Sequence, residues 1–260
     1  MITGRFNHTI IETRPSAEEA VYELAQDIAS EARIRAQKGQ SYTLGLATGS
    51  SPLPLYRELI RLHRNEGASF RNVTTFNLDE YLGLSPDSVH SYTYFMREQL
   101  FKHLDIPKHQ THLPSGLIAA EKIEGHCQNY EVLIEKAGGI DLQILGIGRS
   151  GHIGFNEPPS SLESKTRLIN LVPLTRRDAA SGFGGEEKVP QRAITMGIAT
   201  ILAARRIVLL AWGENKADIV SRTLSSSPND ELPASFLSLH QDVTFLLDSG
   251  AAKKLTISDE

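Results

Sequence analysis

Short, unbroken apolar runs recur along the chain, each bounded by turn-forming or polar residues. Five stand out: 42–46 (YTLGL), 73–76 (VTTF), 142–145 (LQIL), 207–211 (IVLLA) and 243–247 (VTFLL). Continuous runs, as opposed to alternating ones, mark parallel strands covered on both faces. Between them lie segments with apolar residues at helical spacing: 17–37, 54–64, 92–103, 118–136 and 215–224. Strand–helix alternation of this kind predicts an α/β fold with a mainly parallel sheet and right-handed crossovers. The first forty residues read as one long helix ahead of the first strand. The stretch 158–190 breaks the rhythm. It holds a short extended run, 166–172, and then TRRDAASGFGGEEKVP, which is glycine-rich, charged and poor in apolar residues. The expectation is a mobile loop or lid, carried by a single domain that spans 1–260.

Composition narrows the function classes. The 27 basic and 31 acidic residues are well mixed and give a net charge of −4. That balance argues against a dedicated nucleic-acid or anionic-membrane surface. A single Cys127 excludes an internal disulfide and offers too little thiol for a cysteine-based zinc site; it reads as a packing residue. No H-x-x-x-H or C-x-x-C is present, so neither metal nor other cofactor is expected. The N-terminal MITGRFNH lacks the apolar core of a signal peptide, and no run approaches a membrane span, so the expected location is the cytoplasm.

In an open parallel sheet, ligands bind beyond the carboxyl ends of the strands, so the residues there carry most of the information. The first strand is followed by Ala47, Thr48, Gly49, Ser50, Ser51 and Pro52, and then a helix. Free N–H groups at such a turn make an anion site, with Ser50 or Ser51 expected to cap the helix. The turn lacks the G-x-x-x-x-G-K-[ST] and G-x-G-x-x-G signatures of nucleotide binding. The second strand leads into Asp79 and Glu80. At a cleft, one of these carboxylates can take a proton beside a carbonyl; equally, acids gather at helix N-termini. The third strand leads into GIGRSGHIGFNEP, where Gly146, Gly148, Gly151 and Gly154 hold the backbone close to a neighbour. His152 titrates near neutrality, and Glu157 can orient or tune it. The fourth strand ends in WGENK, which puts Lys216 at a helix start, a position that an anion nearby would favour.

Taken together these segments resemble the glucosamine-6-phosphate deaminase (isomerase) family, kin of the 6-phosphogluconolactonases. The resemblance rests on LGLATGSSPLPLYRELIRLH, TTFNLDEYLGL with SYTYFM, LGIGRSGHIGFNEP, KTRLINL, ITMGIATIL and WGENKA, in order from about Tyr42 onward. The FNEP ending favours the deaminase branch. The resemblance implies a modified Rossmann-like three-layer sandwich, a sugar-phosphate substrate and a homo-oligomer or, in some branches, a monomer. It implies Asp79 as the base moving a proton from C2 toward C1, His152 in ring opening and Glu157 as its partner. Thr48, Gly49, Ser50, Ser51, Gly146 and Lys216 would bind substrate and phosphate.

Three positions depart from the pattern. Ser150 stands where the best-studied branch has an aspartate before Gly-His. Ser181 aligns with a lid arginine that the family uses on the phosphate, which leaves Arg176 or Arg177 as the substitute. Ile169 follows Arg167 where some members place an allosteric lysine, so weak or absent activation by N-acetylglucosamine 6-phosphate is expected. The alternatives are a deaminase or isomerase for another amino-sugar phosphate, a lactonase-like hydrolase, and a sugar-phosphate sensor module without catalysis.

Overall fold

The computed structural model describes residues 2–6 and 9–255. Its centre is an eight-stranded sheet in the order β1-β2-β11-β10-β7-β3-β4-β6. These strands are β1 (Ile2–Phe6), β2 (Thr9–Arg14), β3 (Tyr42–Leu46), β4 (Val73–Asn77), β6 (Thr111–His112), β7 (Leu142–Leu145), β10 (Arg206–Ala211) and β11 (Val243–Asp248). Every pairing is parallel except the β1–β2 hairpin. A second sheet of three antiparallel strands, β5 (Asp79–Tyr81), β9 (Arg192–Thr195) and β8 (Arg167–Asn170), stands beyond the end of β4.

The five predicted strands are all present because each is buried on both faces. In β10, Ile207, Leu209 and Ala211 join the core on one side while Val208 and Leu210 join that on the other. One face packs on α1 (Ala17–Gln37), α2 (Leu53–Glu66) and α3 (Tyr92–Gln99) through Leu24, Ile28, Leu59 and Met96. The opposite face packs on α4 (Ile123–Lys136), α6 (Ile198–Leu202) and α7 (Ala217–Ser225) through Tyr130, Ile201 and Val220. Each such fully buried side chain removes enough apolar area from water to contribute about 1.5–3 kcal/mol. The result is the expected three-layer α/β sandwich.

Several local expectations are corrected. The segment ahead of α1 is not helix alone: β1 and β2 precede it, with β2 paired along its whole length to β11. The predicted helix 92–103 ends at Gln99 and continues as a short 3-10 turn, Phe101–His103. The helix predicted over 118–136 starts at Ile123, after a 3-10 turn. In the stretch 158–190 the expected extended run 166–172 is present as β8, but the segment after it is an eleven-residue helix, α5 (Pro173–Phe183), where loop was expected. Pro173 opens that helix and Gly184 closes it in the left-handed conformation, the proline-first, glycine-last arrangement that helix ends favour. Phe183 anchors it, stacked on His90 with centroids 4.5 Å apart and edge-on to Tyr81 at 5.4 Å. Among the described residues, no helix is long and apolar enough to cross a membrane.

Candidate active site

The sheet order explains why the marked segments converge. β10, β7, β3 and β4 are consecutive neighbours. The residues after their carboxyl ends are Lys216, the glycine-rich loop with His152 and Glu157, the 48–51 turn, and Asp79. Four strand ends therefore stand side by side, at the place where open parallel sheets hold a ligand crevice.

The turn after β3 departs from the expected capping. Pro52 occupies the N-cap position of α2, and no side chain caps the helix. Ser50 and Ser51 are thus not spent on α2. Gly49 adopts φ +90°, and Gly49 and Ser50 are exposed. The turn is held from below: the Tyr56 hydroxyl donates to Ala47 O at 2.5 Å, and Trp212 Nε1 donates to Ser51 O at 2.7 Å.

The adjacent acids after β4 have separate surroundings. Glu80 is buried and accepts from the backbone N–H groups of Tyr92 and Thr93 at 2.9 and 2.8 Å, and from the Thr93 hydroxyl at 2.9 Å. It therefore closes the open N-terminus of α3, beside the Ser91 cap. Asp79, 5% exposed, has no such helix to serve. Burial, with the neighbouring Glu80 charge added, pushes its carboxyl up to about 8, although the Phe155 N–H opposes the shift. A carboxyl in that range exchanges protons near neutral pH.

The glycine-rich loop is shaped around two side chains. A methyl group at Gly148 would fall 2.0 Å from the His152 ring, so the imidazole lies directly over that backbone. Gly154, at φ +57°, presses on the other side against Asp79, where a methyl would meet Oδ2 at 3.2 Å. The same loop therefore supports His152 and touches Asp79. His152 Nδ1 lies 2.8 Å from Glu157 Oε1. Ser150 Oγ is 2.8 Å from that nitrogen and donates to Glu157 Oε2 at 2.8 Å. The hydroxyl of Thr175, on α5, donates to Glu157 Oε1. Burial alone would raise the Glu157 pKa, but hydrogen bonds and charge from His152, with the hydroxyls of Thr175 and Ser150, bring it below the ordinary value. An ionised carboxylate only accepts, so Nδ1 carries the hydrogen and Nε2 is left to give or take a proton.

Lys216 also points into the crevice. Its Nζ donates to Ile147 O at 2.8 Å, and burial lowers its pKa while Asp178 opposes that shift. Gly146 borders Ser51, with 3.5 Å between a methyl placed there and the serine side chain. All nine residues marked in the sequence thus lie just beyond the ends of four neighbouring strands. Sequence reading missed Thr175, whose signal was hidden in a segment read as loop, and Thr195, whose hydroxyl accepts the Phe155 N–H at 3.1 Å beside Asp79. Arg176, a suggested substitute for the lid arginine, instead donates to Glu186 O at 2.8 Å.

The chain is similar to known proteins in sequence and in fold. Residues 15–246 match the family described as glucosamine-6-phosphate isomerases/6-phosphogluconolactonase. A glucosamine-6-phosphate deaminase of Thermoanaerobacter sp. (strain X514) is 46% identical over 237 residues, 91% of this chain and 93% of that protein. One from Shewanella halifaxensis (strain HAW-EB4) is 52% identical over 223 residues, 86% and 84% of the two chains. The structure of a monomeric glucosamine-6-phosphate deaminase superposes with a TM-score of 0.89 at 42% identity, over 94% of this chain and 99% of the other. A 6-phosphogluconolactonase from Leishmania guyanensis shares the fold, with a TM-score of 0.73 at 23% identity over 94% and 98% of the chains. By sequence and by fold, this chain belongs to the glucosamine-6-phosphate isomerase/6-phosphogluconolactonase family.

Proposed function

We propose that the protein is a glucosamine-6-phosphate deaminase, converting glucosamine 6-phosphate and water to fructose 6-phosphate and ammonia. One observation carries the reading: a carboxyl tuned to about 8, Asp79, stands against the loop that bears an oriented His152–Glu157 pair. The phosphate binds at the 48–51 turn and Lys216, which supplies remote binding energy to position the reacting carbons. His152 Nε2 exchanges the proton needed to open the sugar ring, and Glu157 holds the imidazole in the required tautomer. Asp79 then removes the C2 proton of the open-chain aldehyde and returns a proton to C1, while a proton leaves the C2 ammonium group and the former aldehyde oxygen takes one up to become the C1 hydroxyl. This leaves an iminium at C2. Water adds there, ammonia leaves, and the carbon becomes the ketone of fructose 6-phosphate.

The chemistry needs one group that takes a proton next to a carbonyl and another that gives and takes one at the ring oxygen. Asp79 and His152 meet that need from different strand ends. A sugar-phosphate panel tests the assignment. Ammonia should appear with glucosamine 6-phosphate, and hydrolysis of 6-phosphogluconolactone should be marginal. Lactone hydrolysis without ammonia release would place the chain in the other branch of its family.

A further inference from the structure

We propose that Arg149 is a phosphate-binding residue of this site, and that Asp178 of α5 holds its guanidinium until the substrate phosphate displaces that carboxylate. The inference deepens the deaminase reading and takes from it the identity of the sugar phosphate.

Arg149 lies between Gly148, beneath the imidazole, and Ser150, which bridges His152 and Glu157. It is thus carried by the glycine-rich loop and not by α5. Its Nη2 is 2.6 Å from Asp178 Oδ1. Two residues earlier in the same loop, Ile147 O accepts from Lys216 Nζ at 2.8 Å. Asp178 also acts on Lys216, where its charge opposes the effect of burial. One carboxylate of α5 is therefore paired with Arg149, and its charge also reaches Lys216, a cation from a different strand end, beside the turn whose Ser51 borders Gly146.

Such an arrangement suits a dianion better than a monoanion. A phosphate offers three acceptor oxygens and more charge than a carboxylate, and a guanidinium can bind two of those oxygens at once. The Arg149–Asp178 pair is 57% and 44% exposed, and an exposed pair is a weak competitor. The other arginines suggested for this task fit it less well. Arg176 is bound to Glu186 O, and Arg177 is exposed on α5. Ser181 stands where a lid arginine was expected. An arginine on the fixed loop takes over that role, and the lid contributes a carboxylate that must let go.

The test uses Arg149→Gln, Arg149→Lys and Asp178→Asn in the full chain, with binding of inorganic phosphate followed by calorimetry and with steady-state kinetics on glucosamine 6-phosphate. Arg149→Gln should weaken phosphate binding and raise KM, each roughly tenfold or more, with a smaller change in kcat. Arg149→Lys should recover part of the loss. Asp178→Asn should tighten phosphate binding. Wild-type protein that binds no phosphate, or Arg149→Gln that binds it as well as wild type, overturns the inference. So does Asp178→Asn weakening phosphate as much as Arg149→Gln, because Asp178 would then be a prop and not a competitor. Phosphate binding that depends on Arg149 in a protein releasing no ammonia would sink the deaminase reading and leave this inference standing.

Discussion

His152 Nδ1 and Glu157 Oε1 lie 2.8 Å apart, and Ser150 closes the triangle at 2.8 Å to each partner. An aspartate is thus unnecessary at position 150: the serine hydroxyl satisfies the second carboxylate oxygen, and Glu157 alone supplies the charge. Glu157→Gln keeps the shape but can present an amide N–H to the imidazole, which would reverse the tautomer. Its kcat should fall about a hundredfold or more, in the range general acid–base groups contribute. Ser150→Ala should cost less than tenfold, since a neutral hydrogen bond contributes about 1 kcal/mol. Equal losses in the two variants would show that the serine carries a role that a mere hydrogen-bond bridge does not explain.

Asp79 should set the acidic limb of the pH profile. With its carboxyl pushed up to about 8, the ionised base is scarce at pH 6 and increases through neutrality. The acidic midpoint of kcat/KM, which reports the free enzyme, is expected near 8. A midpoint near 4 would mean that another group limits the reaction.

The same shift has a thermodynamic consequence of opposite sign. The folded pKa of Asp79 lies above its unfolded value of 3.8. Between those values the unfolded chain has released a proton that the folded chain still holds, so folding stability declines as pH rises from about 4 to about 8 and then levels. Asp79→Asn removes the cost of that buried charge. The variant should abolish C2 proton exchange, keep its affinity for phosphate, and be more stable than wild type by a few kcal/mol at pH 8, with little difference near pH 4. Melting temperatures at the two pH values check this. A variant destabilised equally at both would show that the carboxyl serves packing.

Gly148→Ala places a methyl 2.0 Å from the His152 ring atoms. The ring must rotate away, which breaks its contact with Glu157. Activity should fall at least a hundredfold while circular dichroism stays native. A variant with near-normal kcat would show that the observed imidazole position is not the working one.

Arg167 turns inward. Its guanidinium donates to Asn156 Oδ1 at 2.8 Å and approaches Ser160 Oγ at 3.4 Å. Ile169, two residues on, brings no second cation to it. Velocity against glucosamine 6-phosphate should therefore be unchanged by N-acetylglucosamine 6-phosphate. A shift from sigmoidal to hyperbolic kinetics would refute this.

Much of the site was legible because the chemistry follows strands whose burial on both faces makes them conspicuous. Tyr42–Leu46 and Leu142–Leu145 match the predicted runs residue for residue, and those strands carry the 48–51 turn and the His152 loop. Residue type and spacing alone could not separate Asp79 from Glu80, and it was the resemblance that pointed to Asp79. They are adjacent and chemically alike, and only the placement of α3 over Glu80 leaves Asp79 as the uncommitted carboxyl. The β2 strand was missed because TIIETR mixes polar and apolar residues; its partner β11 lies more than two hundred residues away. Of the three-stranded sheet only β8 was legible, as the extended run 166–172; β5 is three residues long and pairs with β9 more than a hundred residues away. The α5 helix was hidden by composition: glycines, charges and few apolar residues suggested loop, while Pro173 and Gly184, its actual boundary marks, fell within the stretch read that way.

The most direct test of the account is the initial rate of ammonia release from glucosamine 6-phosphate by the purified protein and by Asp79→Asn and His152→Ala. The account predicts turnover by the unmodified chain, loss of about a hundredfold or more in each variant, and phosphate affinity preserved in both. Absence of ammonia release from a folded protein that binds glucosamine 6-phosphate would contradict it.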